Sequence, residues 1–395
     1  MESIIKQKID LIAECIFDKI QKGQRESYGL YSEEFGFLLF LLYYLKYSKS
    51  EKYTSLTEDY AEKLLENSVT VTGLHTFCSG LSGILYLFEF LREYDFIDID
   101  VNDVQTVLDN YLVTRMRQDI RQQNYDFMHG ALGVGLYFMK RGNHPEYIQE
   151  LIDFLYSTAE KDTNNSIFKW ESIIDHEKNN RGYNLSLSHG ISSIIIFLAR
   201  VVKSGKSETS VVEMLTGAIN YILSQEKDFT QFGSYFSSHI PKDSTEPVLK
   251  SRLAWCYGDL GIGMALWQAG KALEKKEWED KGFEILLQST QRRSFKESFV
   301  QDAGICHGSA GIVMIYRRMY LETKESKFQE AIRYWINQTL NFSRFEDGLA
   351  GYKALYKDEW RCDYSLLTGI AGIGLVLLSY LSENQQIWDE MLLLS

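Results

Sequence analysis

The chain has 395 residues, 45% of them hydrophobic and 24% charged, which is enough to bury a large core and ordinary for a globular protein. Its 42 basic and 54 acidic residues give a net charge of −12, which argues against a nucleic-acid binder, since that needs a basic face. Three prolines suit long uninterrupted helices, and five cysteines in so long a chain do not make a disulfide framework; they point to a reducing cytoplasm, where Cys clusters more often serve metal or catalysis.

The opening residues 1–24 are charged and amphipathic and lack the apolar stretch of a secretory signal. Phe35 to Leu45 is the longest apolar run and falls short of the roughly 20 residues that span a bilayer. From there the chain alternates. Amphipathic segments such as Glu58 to Asn67, Val104 to Arg117 and Lys327 to Phe342 read as helices with one buried face. Between them come helices that are apolar nearly all round, such as Ile84 to Phe88 and Ile373 to Leu378, each announced by a Gly-x-x-Gly-type motif.

The motifs read Cys78-Ser79-Gly80-Leu81-Ser82-Gly83, Met128-His129-Gly130-Ala131-Leu132-Gly133 and Ser188-His189-Gly190-Ile191-Ser192-Ser193 in the first half of the chain. Cys256-Tyr257-Gly258-Asp259-Leu260-Gly261, Cys306-His307-Gly308-Ser309-Ala310-Gly311 and Leu367-Thr368-Gly369-Ile370-Ala371-Gly372 follow. The leading glycines at 80, 130, 190, 258, 308 and 369 lie 50 to 68 residues apart, room for a helix, a loop and a second helix per unit. A weaker seventh copy is expected to begin at Gly36. Inner apolar helices alternating with outer amphipathic ones, with no polar capping repeat at either end, predict an all-α fold, an α/α toroid of about seven helical hairpins. One domain is expected over 1–395, with small insertions at about 162–181 and 227–250.

Chemistry gathers just ahead of the glycines. Three of the five cysteines stand two residues before a leading glycine, and three of the seven histidines one residue before it. If each motif occupies the same place in its unit, these residues share one end of the ring. Cys256 and Cys306 belong to consecutive units, with His307 beside the second. Two thiolates and an imidazole make a three-ligand zinc set whose open fourth position distinguishes catalytic from structural zinc. An isolated cysteine is more often a small buried hydrophobe; that reading is kept for Cys78, and Cys15 and Cys362 fall outside the column. His129 and His189 face the same mouth as candidate proton donors, since imidazole titrates near neutrality. Asp126 is placed to orient a histidine, or is a surface carboxylate. Arg252 is a candidate for steadying a developing anion, Tyr257 flanks the first cysteine, and Trp255 reads as packing.

These motifs resemble the LanC-type lanthionine synthetase cyclases. Trp255-Cys256-Tyr257-Gly258 and Cys306-His307-Gly308 look like that family's two zinc-ligand motifs, and Ser188-His189-Gly190 and Asp126-Phe127-Met128-His129-Gly130 like its upstream catalytic motifs. The likeness spans about Gly36 to Tyr380 and departs at Ser193, where the third repeat lacks its second glycine. The resemblance implies zinc held by Cys256, Cys306 and His307, acid/base work by His189 and Asp126, and a site lined by Arg252 and Tyr257. It does not place His129. It implies addition of peptide cysteine thiols to dehydroalanine or dehydrobutyrine, giving lanthionine or methyllanthionine rings in a lantibiotic precursor. The chain is too short ahead of its first repeat for a fused dehydratase. A stand-alone class I cyclase is therefore expected, cytoplasmic or peripheral to the membrane, with the pathway dehydratase and exporter as partners.

Three alternatives stand beside it. An enzyme of the same fold that adds glutathione to dehydrated peptides would share every site residue. A toroid glycosidase needs a carboxylate pair in the mouth, for which only Asp126 and Asp259 are near the column. A non-catalytic zinc-containing peptide-binding scaffold would need a fourth ligand, for which Cys78 is the candidate.

Overall fold

A computed structural model describes residues 1–23, 28–32, 34–71, 73–97, 102–162, 164, 166–175, 180–205, 208–242, 248–383 and 386–395; at 65–71 and 102–104 it describes the backbone only. Parts of both expected insertions (163, 165, 176–179 and 243–247) lie outside the described residues.

The helices come in pairs. α1 (Glu2–Lys22) precedes α2 (Glu34–Ser48), α3 (Glu51–Val71) precedes α4 (Leu81–Glu93), and α5 (Asn102–Arg121) precedes α6 (Ala131–Arg141). α7 (Pro145–Thr158) leads to α8 (Ile191–Lys203), and α9 (Thr209–Ser224) leads, past the short α10 (Phe229–Phe232), to α11 (Asp259–Leu273). α12 (Lys276–Ser289), the short α13 (Phe295–Ser298) and α14 (Ser309–Thr323) come next, and α15 (Ser326–Asn341) and α16 (Ile370–Leu381) complete the series.

The second long helix of each pair is the inner one. α4 packs on α6, α6 on α8, α8 on α11, α11 on α14, α14 on α16, and α16 on α2. Phe35 of α2 meets Phe88 of α4 edge-on, with ring centroids 5.6 Å apart, which closes the circle. This is the α/α toroid expected from the sequence. Its cause is visible in the burial: α16 is buried without a break from Ile370 to Ser379, whereas outer α7 buries one face only, Ile148, Leu151, Ile152, Phe154 and Leu155.

The hollow of the ring is filled by the segment after α16, a 3-10 turn over Ile387–Leu392. Its carbonyls accept hydrogen bonds from the ring wall: Trp255 Nε1 donates to Leu392 O (2.8 Å), Gln268 Nε2 to Leu393 O (2.8 Å) and Arg200 Nη2 to Glu390 O (2.9 Å). Trp255 therefore packs, as its sequence context suggests, and also donates to this plug. Buried Asp389 is clamped by the Arg318 guanidinium, so the charge taken into the core is paired.

Strands add a minor layer. β1 (Glu160–Asp162) and β2 (Ile167–Lys169) form a hairpin, and β3 (Ser172–Asp175), β4 (Asn180–Asn184) and β5 (His239–Pro241) an antiparallel sheet in that order. The two segments expected as insertions thus meet: β3 and β4 come from the first and β5 from the second. A further hairpin, β6 (Ala354–Tyr356) and β7 (Glu359–Arg361), precedes the last inner helix.

Candidate functional site

Six inner helices begin on the residue directly after a leading glycine, which serves as the N-cap without a side-chain cap. The exposed helix N–H groups are satisfied by the motif loop folding back. The carbonyl six residues before the glycine accepts from the first helical N–H: Leu74 O from Leu81 (3.0 Å), Asn124 O from Ala131 (3.1 Å), Asp302 O from Ser309 (3.1 Å) and Asp363 O from Ile370 (3.0 Å). The second glycine lets the helix press on this loop. A Cβ at Gly83, Gly133, Gly311 or Gly372 would collide with the carbonyl of Phe77, Phe127, Ile305 or Leu366. Ser193, the departure from the pattern, is accommodated by donating its hydroxyl to Gly190 O at 2.7 Å.

The same comparison corrects the register of the seventh copy. A Cβ at Gly36 would press on Leu30 O, six residues back, so Gly36 stands in the second-glycine place and not the first. The leading position is residue 33, outside the described residues, and Tyr31 joins the column of Cys78, Met128, Ser188, Cys256, Cys306 and Leu367. These residues form a belt. Backbone N–H groups donate around it: Tyr31 to Cys78 (2.9 Å), Cys78 to Met128 (3.0 Å), Ser188 to Cys256 (3.3 Å), Cys256 to Cys306 (3.2 Å), Cys306 to Leu367 (2.8 Å) and Leu367 to Tyr31 (3.4 Å). Among the described residues no backbone bond joins Met128 to Ser188. That junction is spanned by side chains instead, with His189 Nδ1 2.7 Å from Asp126 Oδ2.

Asp126 does two things. Its Oδ1 accepts from the backbone N–H of His129 at 2.7 Å, the turn-closing role that Thr76, Ser186 and Ser365 perform with hydroxyls in their own loops. Being a carboxylate, it keeps a second oxygen for His189. Burial would raise the Asp126 pKa, but the His189 hydrogen bond and charge, with help from His129, leave it below the ordinary carboxylate range. Burial likewise opposes charge on His189, and Asp126 reverses this, so His189 holds its proton above the usual imidazole value. His129 stacks on His189 with ring centroids 5.7 Å apart and an interplanar angle of 18°. Burial and the charge of His189 lower its pKa against the pull of Asp126. Tyr257 lies 6.2 Å from His189, ring to ring, and burial pushes its phenol up to about 12.

These groups line a cavity of about 710 Å³. Asn124, Asp126, His129, His189 and Tyr257 line it together with residues of β3 and Arg181. Glu171 and the β3 residues were not foreseen from sequence, because insertions carry no repeat register, and Gln122 and Gln123, just after α5, stand ahead of the motif column.

The thiol side adjoins it. The neighbouring Cys306 thiol favours the Cys256 thiolate, and against burial the charges of His307, Arg252 and His189 pull the same way; Cys256 titrates below and Cys306 well above the ordinary thiol value. Arg252 is exposed and close enough to act through its charge. His307 Nε2 lies 3.5 Å from Oδ2 of Asp302, a residue only 2% exposed. Burial opposes its charge and Asp302 restores it, leaving the His307 pKa raised. Among the described residues no three His, Cys, Asp or Glu side chains already converge as a metal cluster. The donor set itself suits zinc: two cysteines joined by a backbone hydrogen bond, one thiol biased to thiolate, and an imidazole on the adjoining residue.

Cys78 lies elsewhere on the belt, flanked by Tyr31 and Met128, and burial raises its pKa. Asp259 is not in the mouth. It is fully buried, accepts from Tyr235 N (3.2 Å) and Phe236 N (3.0 Å), and pairs with Arg292 at 3.1 Å, which removes the second carboxylate that a glycosidase reading required. Among the described residues no helix is long and apolar enough to cross a membrane.

Residues 24–393 match the family model described as lanthionine synthetase C-like protein. The nisin biosynthesis protein NisC of Lactococcus lactis subsp. lactis is 25% identical over 387 residues, covering 91% of this chain and 87% of that protein. The solved structure of nisin cyclase superposes with a TM-score of 0.76 at 21% identity, covering 97% of this chain and 96% of that one, a likeness of fold. The chain belongs to the lanthionine synthetase C-like family.

Proposed function

We propose that this protein is a zinc-dependent cyclase that adds cysteine thiols of a dehydrated lantibiotic precursor peptide to its dehydroalanine or dehydrobutyrine residues, closing lanthionine or methyllanthionine rings. The observation that carries the reading is the meeting, on one belt of loops, of the Cys256–Cys306 thiol pair and the His189–Asp126 acid/base pair. Cys256, Cys306 and His307 would hold zinc, which would acidify a substrate thiol whose free pKa is near 8.5.

The remaining work falls to the protein's side chains. Sulfur adds to the β-carbon, and the electron pair of the double bond moves toward the adjoining carbonyl as an enolate. His189, kept protonated by Asp126, delivers a proton to the α-carbon, a contribution of about 10²–10⁴ in rate for a positioned acid. Asp126 fixes the tautomer by holding Nδ1, so Nε2 is the nitrogen left to face substrate. The charge of Arg252 offsets the negative charge that develops, and Tyr257 walls the cavity beside His189. The proposal includes a cytoplasmic setting, with a separate dehydratase supplying the substrate and an exporter taking the product.

Incubating zinc-loaded protein with a dehydrated precursor peptide and following free thiols by alkylation and mass spectrometry tests this. Loss of thiols with no change in peptide mass is expected. Unchanged thiols across several dehydrated precursors would refute the cyclase reading, and a mass gain when glutathione is supplied would favour intermolecular thiol addition instead.

A further inference from the structure

Six residues before the leading glycine stands a column that the motifs themselves do not advertise: Asn124, Asn184, Asp302 and Asp363. Each turns its side-chain oxygen onto the backbone N–H two residues on, at 3.3, 3.0, 3.2 and 2.7 Å respectively, and so opens its motif loop with an Asx turn. The turn needs one oxygen. Asn124 and Asn184 show that an amide is enough.

Asp302 is nonetheless a carboxylate, buried at 2% exposure, where desolvation penalises its charge. Its spare oxygen has two neighbours. Oδ2 accepts from Leu355 N of β6 at 3.1 Å, and it faces His307 Nε2 at 3.5 Å. Asp363, the other carboxylate of the column, spends its second oxygen on Thr368 Oγ1 at 2.6 Å and on the Tyr356 hydroxyl, with no candidate metal ligand among these partners.

We propose that Asp302 is a positioning residue for the metal centre: its carboxylate engages Nε2 of His307, leaving Nδ1 as the nitrogen offered to zinc alongside Cys256 and Cys306. The inference rests on the zinc reading above. A carboxylate on the far nitrogen of a ligating histidine fixes the tautomer and ring orientation and raises ligand basicity, and its loss typically weakens metal binding by about 10–100-fold. The β6–β7 hairpin adds a clamp, because Leu355 N of β6 holds the same oxygen from outside the motif loop's own sequence.

Zinc affinity, measured by competition with a chromophoric chelator, separates the possibilities. Asp302→Asn is the informative variant, since asparagine makes the same turn at 124 and 184 and keeps the loop while removing the charge. Its affinity is expected to fall about 10–100-fold, with a shifted ligand-field band in the cobalt-substituted protein, while Asp363→Asn stays within about twofold of native. Equal affinity of Asp302→Asn and native protein, in a protein whose Cys306→Ala variant loses zinc, overturns the positioning role and leaves the zinc site standing. Zinc retained by Cys306→Ala overturns both. A measurement on the native chain does not depend on the variant folding: nitrogen-15 spectra of labelled histidine, with and without zinc, are expected to show the metal on Nδ1 of His307, and metal on Nε2 would sink the proposal.

Discussion

The two sides of the mouth are built from one loop and differ in what crosses between neighbouring loops. Between the fourth and fifth motifs the crossing is backbone, Cys256 N to Cys306 O at 3.2 Å, and the two thiols lie near enough to influence each other's charge. Between the second and third it is the Asp126–His189 pair, the described junction of the belt that lacks a backbone bond. The thiol side therefore has the spacing of its cysteines set by main-chain geometry. The histidine side depends on a titratable pair, and its geometry depends on charge.

The difference can be broken from either side. The largest effect is expected for Cys306→Ala: zinc content and ring formation should both be lost, read by metal analysis and by thiol counting. His189→Asn should reduce ring formation by about 10²–10⁴-fold while zinc stays bound, because it removes the acid and leaves the ligand side intact. Zinc loss in that variant would show that the two sides are one structural unit.

Asp126→Asn sharpens the comparison through pH. Native His189 has a raised pKa, so a reaction that needs its proton proceeds below that value and fails as pH rises through it. With the carboxylate gone, burial is opposed only by the charge of Cys256 and the His189 pKa falls, so the alkaline limb of the pH–rate profile should move to lower pH. The pair also contributes stability. The Asp126 share is present above about pH 3.9 and is lost as pH falls through its depressed folded value, whereas the His189 share is present below about pH 6.5 and is lost as pH rises through its raised one. The stability difference between native and Asp126→Asn protein, from denaturant midpoints, should therefore be greatest between these limits. The smallest effect is Gly258→Ala. Gly258 is the leading glycine with a left-handed backbone, φ +87°, so alanine should cost about 1–3 kcal/mol in a thermal or denaturant melt.

Much of the fold was legible because the chain repeats itself. An apolar helix can be buried all round only inside a ring of others, so the alternation of inner and outer helices followed from pattern alone. The column two residues before the glycine placed Cys256 and Cys306 side by side, and the structure joins them by a backbone hydrogen bond. The Gly36 copy was misread by one glycine place, since a single glycine does not say which of two packing roles it fills; only the approach of Leu30 O decides it. Asp259 looked like a mouth carboxylate because it follows a leading glycine, but that position is the first helical residue and turns into the core.

What the sequence by itself determined is the local and periodic part: seven hairpins, the glycine-capped inner helices, and which residue types sit at the mouth. Tertiary structure alone decided which mouth residues meet. His189 and Asp126 are 63 residues apart, and the spare oxygen of Asp302 and the Leu355 N–H are 53 apart, and no local propensity encodes such pairings. They follow from closure of the ring, which sets neighbouring loops at a fixed spacing and leaves each side chain's second hydrogen-bonding atom to find its partner across the gap.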